Sequence, residues 1–252
     1  MKLTVLGSGT GWLSLRRRAP GYLVSLKNFH MVLDLGPGTL YQILKIGISL
    51  EDISAIFLSH FHPDHVTDII PFFFATRYNL GYQRRDPIYL VAHRNFHDFY
   101  NGLKGAFGQW VSPPEDLLSL RPVPTSDFYS IELSPFKVTT VGVNHNPESL
   151  AIKLEYNRKS LVYSGDTGWC EALIELARGV DLLIVECSNS KESSVSAHLG
   201  PDEIAEIAKR ANPKRILISH FYPHSEHPDI SKWRFEYRGE IILAEDLISV
   251  SL

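Results

Sequence analysis

The amino-acid sequence predicts an α/β protein in which two β-sheets pack face to face and helices cover their outer surfaces. Short apolar runs rich in branched residues occur in two blocks, one in each half of the chain. Helical segments follow the strands in both blocks. Because each sheet buries one face against its partner and needs a cover on the other, two such blocks favour a sandwich with external helices.

The first block starts with strands and then alternates strands with helices. In chain order its elements are the strands "KLTVL", "GYLVSL" and "HMVLDL", the helix "GTLYQILKIG", the buried strand "ISAIFLS", a helix beginning at His65, the strand "PIYLVA" and the helix "RNFHDFYNGLKGAFG". Residues 111–126 hold four prolines. Proline removes a backbone donor, so this stretch is expected to be a rigid loop or a weak edge strand.

The second block repeats this organisation. In chain order its elements are the strands "SPFKVTTVGVNH", "SLAIKLEY" and "KSLVYSGD", the helix "WCEALIELARG", the strand "DLLIVEC", the helix "PDEIAEIAKR", the strand "RILISH" and a final pair near "GEIILAE" and "DLISVSL". The chain shows no short internal repeat and no low-complexity linker. We therefore expect residues 1–252 to form a single domain.

The overall composition is that of a folded globular protein, with 44% hydrophobic and 21% charged residues. A net charge of -3 gives no general attraction to nucleic acid. Two local basic spots occur. They are formed by Arg16, Arg17 and Arg18 and by the pair Arg84 and Arg85. Solvated surface is the simpler interpretation of such runs.

Two cysteines, Cys170 and Cys187, lie far apart without a CxxC spacing, which favours a reduced, cytoplasmic protein. The first twenty residues do not have the order of charged and apolar parts that a secretory signal needs. No apolar stretch approaches the roughly 20 residues that span a bilayer, so no membrane insertion is expected. The glycines of "LGSGTG" lack the dinucleotide spacing, so no nucleotide cofactor is expected.

The stretch "LSHFHPDHVTD" concentrates potential metal ligands directly after a buried strand. His60, His62, Asp64 and His65 fall within six positions. A polar turn around Pro63 is the simpler alternative. It does not explain four side chains of the types that bind zinc-like ions. The stretch therefore predicts part of a metal site.

Three further candidate ligands stand where predicted strands end. His145 ends "TTVGVNH", Asp166 ends "LVYSGD", and His220 ends "RILISH". Loops at strand ends of a rigid scaffold are where functional residues usually lie. We expect these three side chains to complete the site that the histidine cluster begins.

With these motifs in place, the sequence resembles the metallo-β-lactamase superfamily of metallohydrolases. "HFHPDH" is similar to its HxHxDH motif, and the later ligands follow at His145, "SGDT" and "ISHF". The resemblance implies a four-layer αββα sandwich with two divalent ions, zinc or alternatively manganese or iron, that activate water for hydrolysis. It implies that one ion is held by His60, His62 and His145, the second by Asp64, His65 and His220, and that Asp166 bridges them.

Two further stretches resemble the ribonuclease Z-like phosphodiesterase branch. The resemblance places Glu186, in "LLIVECSNS", and His198, just before a predicted helix, beside the scissile phosphate. His198 would donate a proton to the leaving oxygen or stabilise its charge. Alternatively, His198 only leads into the helix. Asp64 is a third candidate catalytic residue. Asp34 is similar to a buried aspartate of the superfamily that orients the imidazoles of the metal ligands. The alternative is that Asp34 is a simple turn residue.

One departure disfavours transfer RNA 3′ processing. Ribonuclease Z typically carries an RNA-gripping arm between the third histidine and the bridging aspartate, whereas residues 146–165 here suffice only for two strands. A phosphodiesterase for a small-molecule or nucleotide-like ester is favoured. A hydrolase of another ester (sulfate ester, lactone or thioester), a transfer RNA endonuclease and a non-catalytic metalloprotein are the alternatives. RNA as a partner and a homodimeric assembly both stay open.

Overall fold

The computed structural model describes residues 1–78, 84, 86–125, 127–190, 195–230 and 237–252. Arg85 and Ser126, which fall within stretches discussed above, lie outside these ranges. Two seven-stranded sheets occur in the described part of the chain. In spatial order the first sheet contains β14 (Ser249–Ser251), β1 (Lys2–Gly7), β2 (Gly21–Leu26), β3 (Phe29–Leu33), β4 (Ile53–Phe57), β5 (Ile88–His93) and β6 (Leu118–Val123).

The second sheet mirrors the first in size. In spatial order it contains β13 (Glu240–Leu243), β12 (Arg215–Ser219), β11 (Leu182–Glu186), β10 (Lys159–Tyr163), β9 (Leu150–Tyr156), β8 (Phe136–Gly142) and β7 (Tyr129–Leu133). Each sheet has an antiparallel part and a parallel part. Strands β3 to β6 run parallel in the first sheet, and β10 to β13 run parallel in the second.

Six α-helices occur in the described ranges, and five of them cover the outer faces of the sheets. The six helices are α1 (Thr39–Lys45), α2 (Pro63–Val66), α3 (Ile69–Tyr78), α4 (Phe96–Phe107), α5 (Glu171–Leu176) and α6 (Pro201–Ala211). Helices α1, α3 and α4 pack on the first sheet, and α5 and α6 pack with the second. The layers are therefore helix, sheet, sheet, helix, and the predicted fold class is confirmed.

Strand β3 shows why this sequence needs both layers. Met31 and Leu33 face the space between the sheets, whereas Val32 faces the helices, and all three side chains are fully buried. Because side chains alternate between the two faces of a strand, burial at every position requires a cover on each side. A continuous apolar strand of this kind is therefore stable only in the interior of the sandwich.

The region after the histidine cluster differs from the single helix expected there. The chain forms α2 and α3, separated at Thr67 and Asp68. The Asp68 carboxylate accepts hydrogen bonds from the backbone N–H groups of Gly38 and Leu40, at 3.1 and 2.9 Å, at the start of α1. Its own N–H donates to Leu35 O at 2.9 Å. These bonds explain the interruption, because Asp68 caps another helix rather than continuing its own.

The proline-rich stretch forms an edge, as predicted. Strand β6 lies at the end of the first sheet and contains Pro122. Strand β7, at the end of the second sheet, was not predicted. Its sequence "YSIEL" does alternate apolar and polar side chains, which is a usable strand signal, but the strand is only five residues long and three of them are exposed.

The candidate ligand residues lie at one edge of the sandwich. Asp34 follows β3, His60 follows β4, Asp166 follows β10, and His220 follows β12. The carboxyl ends of parallel strands meet at the same edge of a sheet, where functional sites of α/β proteins usually form. Both parallel halves present their ends here.

No helix in the described ranges has the length and apolar character that crossing a bilayer requires.

Gly36 provides a test of the packing beneath this edge. A Cβ atom at this position would overlap Asp64 O and lie 2.7 Å from Pro20 O, both backbone atoms that cannot swing away. We expect Gly36→Ala to lower the free energy of unfolding by at least about 2 kcal/mol. Denaturant unfolding of the metal-free protein measures this.

Gly102→Ala in α4 is the matched control, because nothing lies within 4 Å of its added Cβ. Here we expect a gain of about 0.5–1 kcal/mol, since alanine favours a helix interior over glycine. Equal stability of the two variants would contradict the packing described here.

Candidate metal centre

Seven side chains converge at the shared edge of the two sheets. Two groups of potential ligand atoms, each within 4.8 Å of one another, occur among the described residues. The first group contains His60, His62, His145 and Asp166, and the second contains Asp64, His65 and His220. These are the seven residues that the sequence analysis selected. The groups correspond to the two sets that the resemblance implies, except that Asp166, the implied bridge, falls in the first group.

Asp166 lies between the two groups. Its Oδ2 is 3.8 Å from His60 Nε2 in the first group and 3.3 Å from His65 Nε2 in the second, and its Oδ1 is 3.3 Å from His220 Nε2. Asp64 Oδ2 completes the second group, at 3.9 Å from His65 Nε2 and 3.7 Å from His220 Nε2. Oδ2 is therefore near both groups and Oδ1 is near the second, so this carboxylate could serve either group.

The two most buried histidines are oriented by neighbours from the first sheet. His65 Nδ1 is 2.7 Å from Asp34 Oδ2, and His60 Nδ1 is 3.0 Å from Ser59 Oγ. A hydrogen bond to one ring nitrogen fixes the tautomer and leaves the other nitrogen available as a ligand. Both Nε2 atoms therefore face the centre.

His220 and His145 are oriented from the second sheet. His220 Nδ1 is 2.8 Å from Ser188 Oγ, and His145 Nδ1 lies 3.0 Å from Ala197 O. Because a carbonyl oxygen only accepts, His145 Nδ1 carries the hydrogen. The Nε2 atom of His145 is then the one with a free lone pair, and it points toward His62.

His62 has the opposite orientation to the other histidines. Its Nδ1 lies 3.2 Å from His145 Nε2, inside the centre, and its Nε2 lies 3.1 Å from the Asn146 side-chain amide. Asn146 itself is held by Ser149, whose Oγ accepts from Asn146 N at 3.0 Å. All five histidines thus have one nitrogen paired outside the centre and the other directed inward.

Asp34 carries the largest share of this support. It is fully buried, and its Oδ2 accepts hydrogen bonds from His65, from Ser59 Oγ at 2.7 Å and from Tyr163 OH at 2.6 Å. Its Oδ1 accepts from Ser59 N at 2.7 Å. The backbone of Asp34 is left-handed, with φ of 59°, as is that of His220, with φ of 60°. Such conformations cost energy for non-glycine residues and often occur at functional sites.

The charges in the centre are strongly coupled. Burial lowers the pKa of His60 well below its usual value, and the neighbouring His65 lowers it further. For His65, burial has the same effect, but the carboxylates of Asp166 and Asp34 outweigh it and raise the pKa well above normal. A cation bound at His65 Nε2 must therefore displace a proton, so metal uptake is expected to release protons.

Two buried atoms indicate that a cation fits this set of side chains. His60 Nε2 and Asp166 Oδ1 are among the few buried side-chain atoms of the described residues that lack a hydrogen-bond partner. Leaving such atoms unpaired is costly, and both point into the centre. Imidazole nitrogens with carboxylate oxygens are a donor set for zinc, manganese or iron.

A second polar pair lies next to the histidines. Glu186 is buried, and its Oε1 is 2.7 Å from His198 Nδ1 and accepts from Thr167 N at 3.0 Å, while its Oε2 accepts from Ser188 N at 3.0 Å. The His198 ring centre is 4.9 Å from that of His145. Burial alone would lower the pKa of His198, but the hydrogen bond and charge of Glu186 outweigh it and raise the pKa.

The structure thus brings together the predicted ligands, the Glu186–His198 pair and Asp34. The sequence analysis missed several of the residues that orient the ligands, namely Ser59, Asn146, Tyr163, Ser188 and the carbonyl of Ala197. Ser59 and Asn146 each adjoin a ligand in the chain, which is a usable signal for them. The other three come from distant segments and have no such signal.

Replacing Asp34 tests the support of the second group. Asparagine tolerates the left-handed backbone and keeps the shape, but offers one acceptor oxygen instead of two. We expect Asp34→Asn to weaken the binding of one of two metal ions about 10- to 100-fold, because partners of metal-ligating histidines typically have effects of this size. Zinc titration against a chelating dye measures both affinities.

Tyr163→Phe is the control, because it removes one hydrogen bond to Asp34 and preserves the contact with His65. We expect its zinc affinities to change less than tenfold. An Asp34→Asn protein that binds both ions as tightly as the native chain would show that Asp34 does not support the ligands.

Known proteins are similar to this chain along most of its length. A ribonuclease Z of Methanosarcina acetivorans is 27% identical over 308 aligned positions, which cover 100% of this chain and 98% of the relative. The crystal structure of the metallo-β-lactamase fold protein YhfI from Bacillus subtilis has a TM-score of 0.84 at 22% identity, with 99% of each chain covered. A diphosphatase of the PhnP family has a TM-score of 0.72 at 25% identity, with 100% of this chain and 97% of that chain covered.

These likenesses confirm the metallo-β-lactamase fold and the resemblance to the superfamily and its ribonuclease Z-like branch. The two groups of candidate metal ligands lie at one edge of this fold. A family model covers nearly the whole sequence, since residues 1–237 match the model described as anti-Pycsar protein Apyc1. The chain therefore belongs to the anti-Pycsar protein Apyc1 family.

Proposed function

We propose that this protein is a metal-dependent phosphodiesterase that hydrolyses small, nucleotide-like phosphodiesters. The observation that carries the proposal is the Glu186–His198 pair beside the two groups of ligands. A metal centre alone does not select the bond that is cleaved, whereas a histidine held with a raised pKa supplies a proton for a leaving oxygen.

The ligand groups would hold two divalent ions, with zinc the first choice and manganese or iron as alternatives. When bound, such ions polarise a phosphoryl group and lower the pKa of an attacking water. Asp166, between the groups, would contact both. The family name states no reaction, so the assignment of the bond depends on the side chains around the centre.

Asp64 would act on the attacking water as well as serving as a ligand. Burial would raise its pKa, but the hydrogen bond from His220 and the charge of His65 outweigh this effect and lower it. The carboxylate is therefore ionised at neutral pH. Its side chain is 17% exposed, more than those of its neighbours His65 and His220, so an ionised oxygen can orient a water at the mouth of the site.

His198 would act at the opposite end of the reaction. Its Nδ1 faces Glu186, so Nε2 is the nitrogen available to the substrate. Glu186 is itself fixed by the backbone N–H groups of Thr167 and Ser188. A protonated imidazole in this place can donate a proton to the departing oxygen of a phosphodiester. Without that proton, the oxygen is a poor leaving group.

The segment between His145 and Asp166 favours a small substrate. It forms strands β9 and β10, joined by a turn at Asn157 and Arg158, with no insertion. The alignment with the ribonuclease Z spans 308 positions, whereas this chain has 252 residues, so that relative carries segments that have no counterpart here. Transfer RNA 3′ processing is accordingly the less favoured alternative.

A second candidate is hydrolysis of a different bond at the same centre. The likeness to a diphosphatase of the PhnP family favours a phosphoanhydride among these alternatives. Sulfate esters, lactones and thioesters stay open for the same ligand set. Parallel assays of zinc-loaded protein on bis(p-nitrophenyl) phosphate, a dinucleoside diphosphate, an aryl sulfate, a lactone and a precursor transfer RNA separate them. Preference for the precursor transfer RNA, or for any substrate that is not a phosphodiester, would overturn the first proposal.

The metal requirement is tested by replacing the central carboxylate. Protein purified without chelator is expected to contain about two divalent ions per chain by elemental analysis, as in two-metal hydrolases. We expect Asp166→Ala to abolish hydrolysis and lower the metal content while the circular dichroism spectrum stays native. The reason is that both groups of ligands lose the carboxylate they share.

Asp181→Asn is the control for loss of a buried carboxylate. Asp181 is also buried but pairs with Lys214 at 2.8 Å, at the opposite end of β10 from the centre. We expect this variant to keep its metal and its turnover. A metal-free native preparation with full activity, or wild-type turnover in Asp166→Ala, would refute the two-metal proposal.

The role of His198 is tested with leaving groups of different quality. We expect His198→Ala to retain its metal and to lose about 100- to 10,000-fold in rate on an alkyl phosphodiester, the usual range for a general acid. The loss should be much smaller on an activated aryl phosphodiester, which departs without a proton. Equal losses on both would indicate phosphate positioning instead.

Glu186→Gln provides a complementary measurement of the same role. Because the Glu186 carboxylate raises the pKa of His198, its loss should lower that pKa. An acid is active in its protonated form, so the alkaline fall of kcat should move to lower pH in this variant. An unchanged pH profile would contradict general-acid catalysis by His198.

A further inference from the structure

One short loop serves both parts of the site. Residues 195–199, which we call the acid loop, carry His198 and the carbonyl of Ala197. The Ala197 oxygen accepts a hydrogen bond from His145 Nδ1 at 3.0 Å, and His198 Nδ1 contacts Glu186 at 2.7 Å. A displacement of this loop would therefore disturb a metal ligand and the candidate acid together.

The acid loop has neither helix nor strand structure, so other groups must hold it. Asn189 contributes four hydrogen bonds to it. Its Nδ2 donates to Val195 O at 2.9 Å and to His198 O at 2.8 Å, its Oδ1 accepts from Val195 N at 2.9 Å, and its own N–H donates to Leu199 O at 3.0 Å. Asn189 is 5% exposed and directly follows Ser188.

We infer that Asn189 is a positioning residue that couples the ion held by His145 to the candidate acid His198 by fixing the acid loop. The effect on His198 rests on the proposed function. The effect on His145 rests only on the hydrogen bond that Ala197 O accepts from His145 and requires no catalytic assignment.

The chemistry of the side chain makes this role specific. An asparagine amide offers two N–H donors and an acceptor on one rigid plane, and all three are used on one loop. The two carbonyls that it binds, at Val195 and His198, flank the Ala197 carbonyl in the chain. Fixing both sides aims the Ala197 oxygen at His145, and ligand geometry of this kind tolerates little displacement.

The first test is metal binding by Asn189→Ala. Zinc titration against a chelating dye should show one of the two ions bound about 10- to 100-fold more weakly, the usual effect of losing support for a metal ligand. The second ion, held by Asp64, His65 and His220, should be bound with nearly native affinity. Native affinity for both ions, or equal weakening of both, would overturn the inference.

The second test is a double-mutant cycle at saturating zinc. We expect Asn189→Ala to lower kcat on an alkyl phosphodiester at least tenfold in the native background. In the His198→Ala background the same change should have less than a twofold effect, because the group through which Asn189 acts is gone. Multiplicative losses in the double variant would show that Asn189 does not act through His198.

Two further variants separate positioning from stability. Asn189→Asp has the same shape, but its carboxylate would face the carbonyls of Val195 and His198, so it should weaken zinc binding at least as much as alanine. This variant also serves if Asn189→Ala does not fold.

Glu203→Ala is the control for stability. It removes the 2.8 Å hydrogen bond from Gly200 N that caps α6 just after the acid loop. It should lower the free energy of unfolding, as the loss of a helix cap usually does, and leave both zinc affinities unchanged.

Native zinc affinity in Asn189→Asp would show that the amide donors are not required and would refute the inference. The inference would also be wrong if Glu203→Ala reproduced the zinc defect, since general loosening would then suffice. Failure of the proposed function is distinguishable, because a native protein without phosphodiesterase activity still allows the zinc titrations. Those titrations decide the effect on His145 by themselves.

Discussion

The structure of the centre depends most on the buried carboxylate of Asp34. A charge in a protein interior is tolerated only when it is paired and fully hydrogen-bonded. Asp34 satisfies this condition with Ser59, which follows β4, with His65 on α2 and with Tyr163 on β10. These partners belong to both sheets. The need to satisfy one carboxylate therefore fixes the position of two sheets and of a metal ligand relative to one another.

The same interaction sets the electrostatics of the site. His65 lies between Asp34 and Asp166, which favour its protonated form, whereas His60 is buried and has a depressed pKa. A proton on His65 compensates the carboxylates in the absence of a cation. A divalent ion in the second group could replace it, and an ion in the first group could satisfy His60 Nε2, which has no hydrogen-bond partner. Metal binding and the protonation of His65 are therefore linked at this edge of the sandwich.

The sequence predicts the parts of this arrangement that are local in the chain. His60, His62 and His65 were recognisable because they follow an apolar strand within six residues, and later ligands because parallel strands end at one edge. The contact of Ser188 with His220 depends on ring orientation, for which spacing gives no information. The break between α2 and α3 was missed because Asp68 bonds to a helix that lies earlier in the sequence.

The candidate metal ligands and the candidate acid lie on segments that differ in rigidity. The candidate metal ligands lie at or near strand ends, and proteins with different stated activities, a ribonuclease Z and a diphosphatase among them, are similar to this chain along nearly its whole length. Choice of the bond must therefore come from groups carried by loops. In this chain the candidate acid is on a loop that also supports a metal ligand through Ala197. Substitutions that displace that loop would disturb the candidate acid and the support of His145 together, which constrains how such a centre can acquire a new substrate.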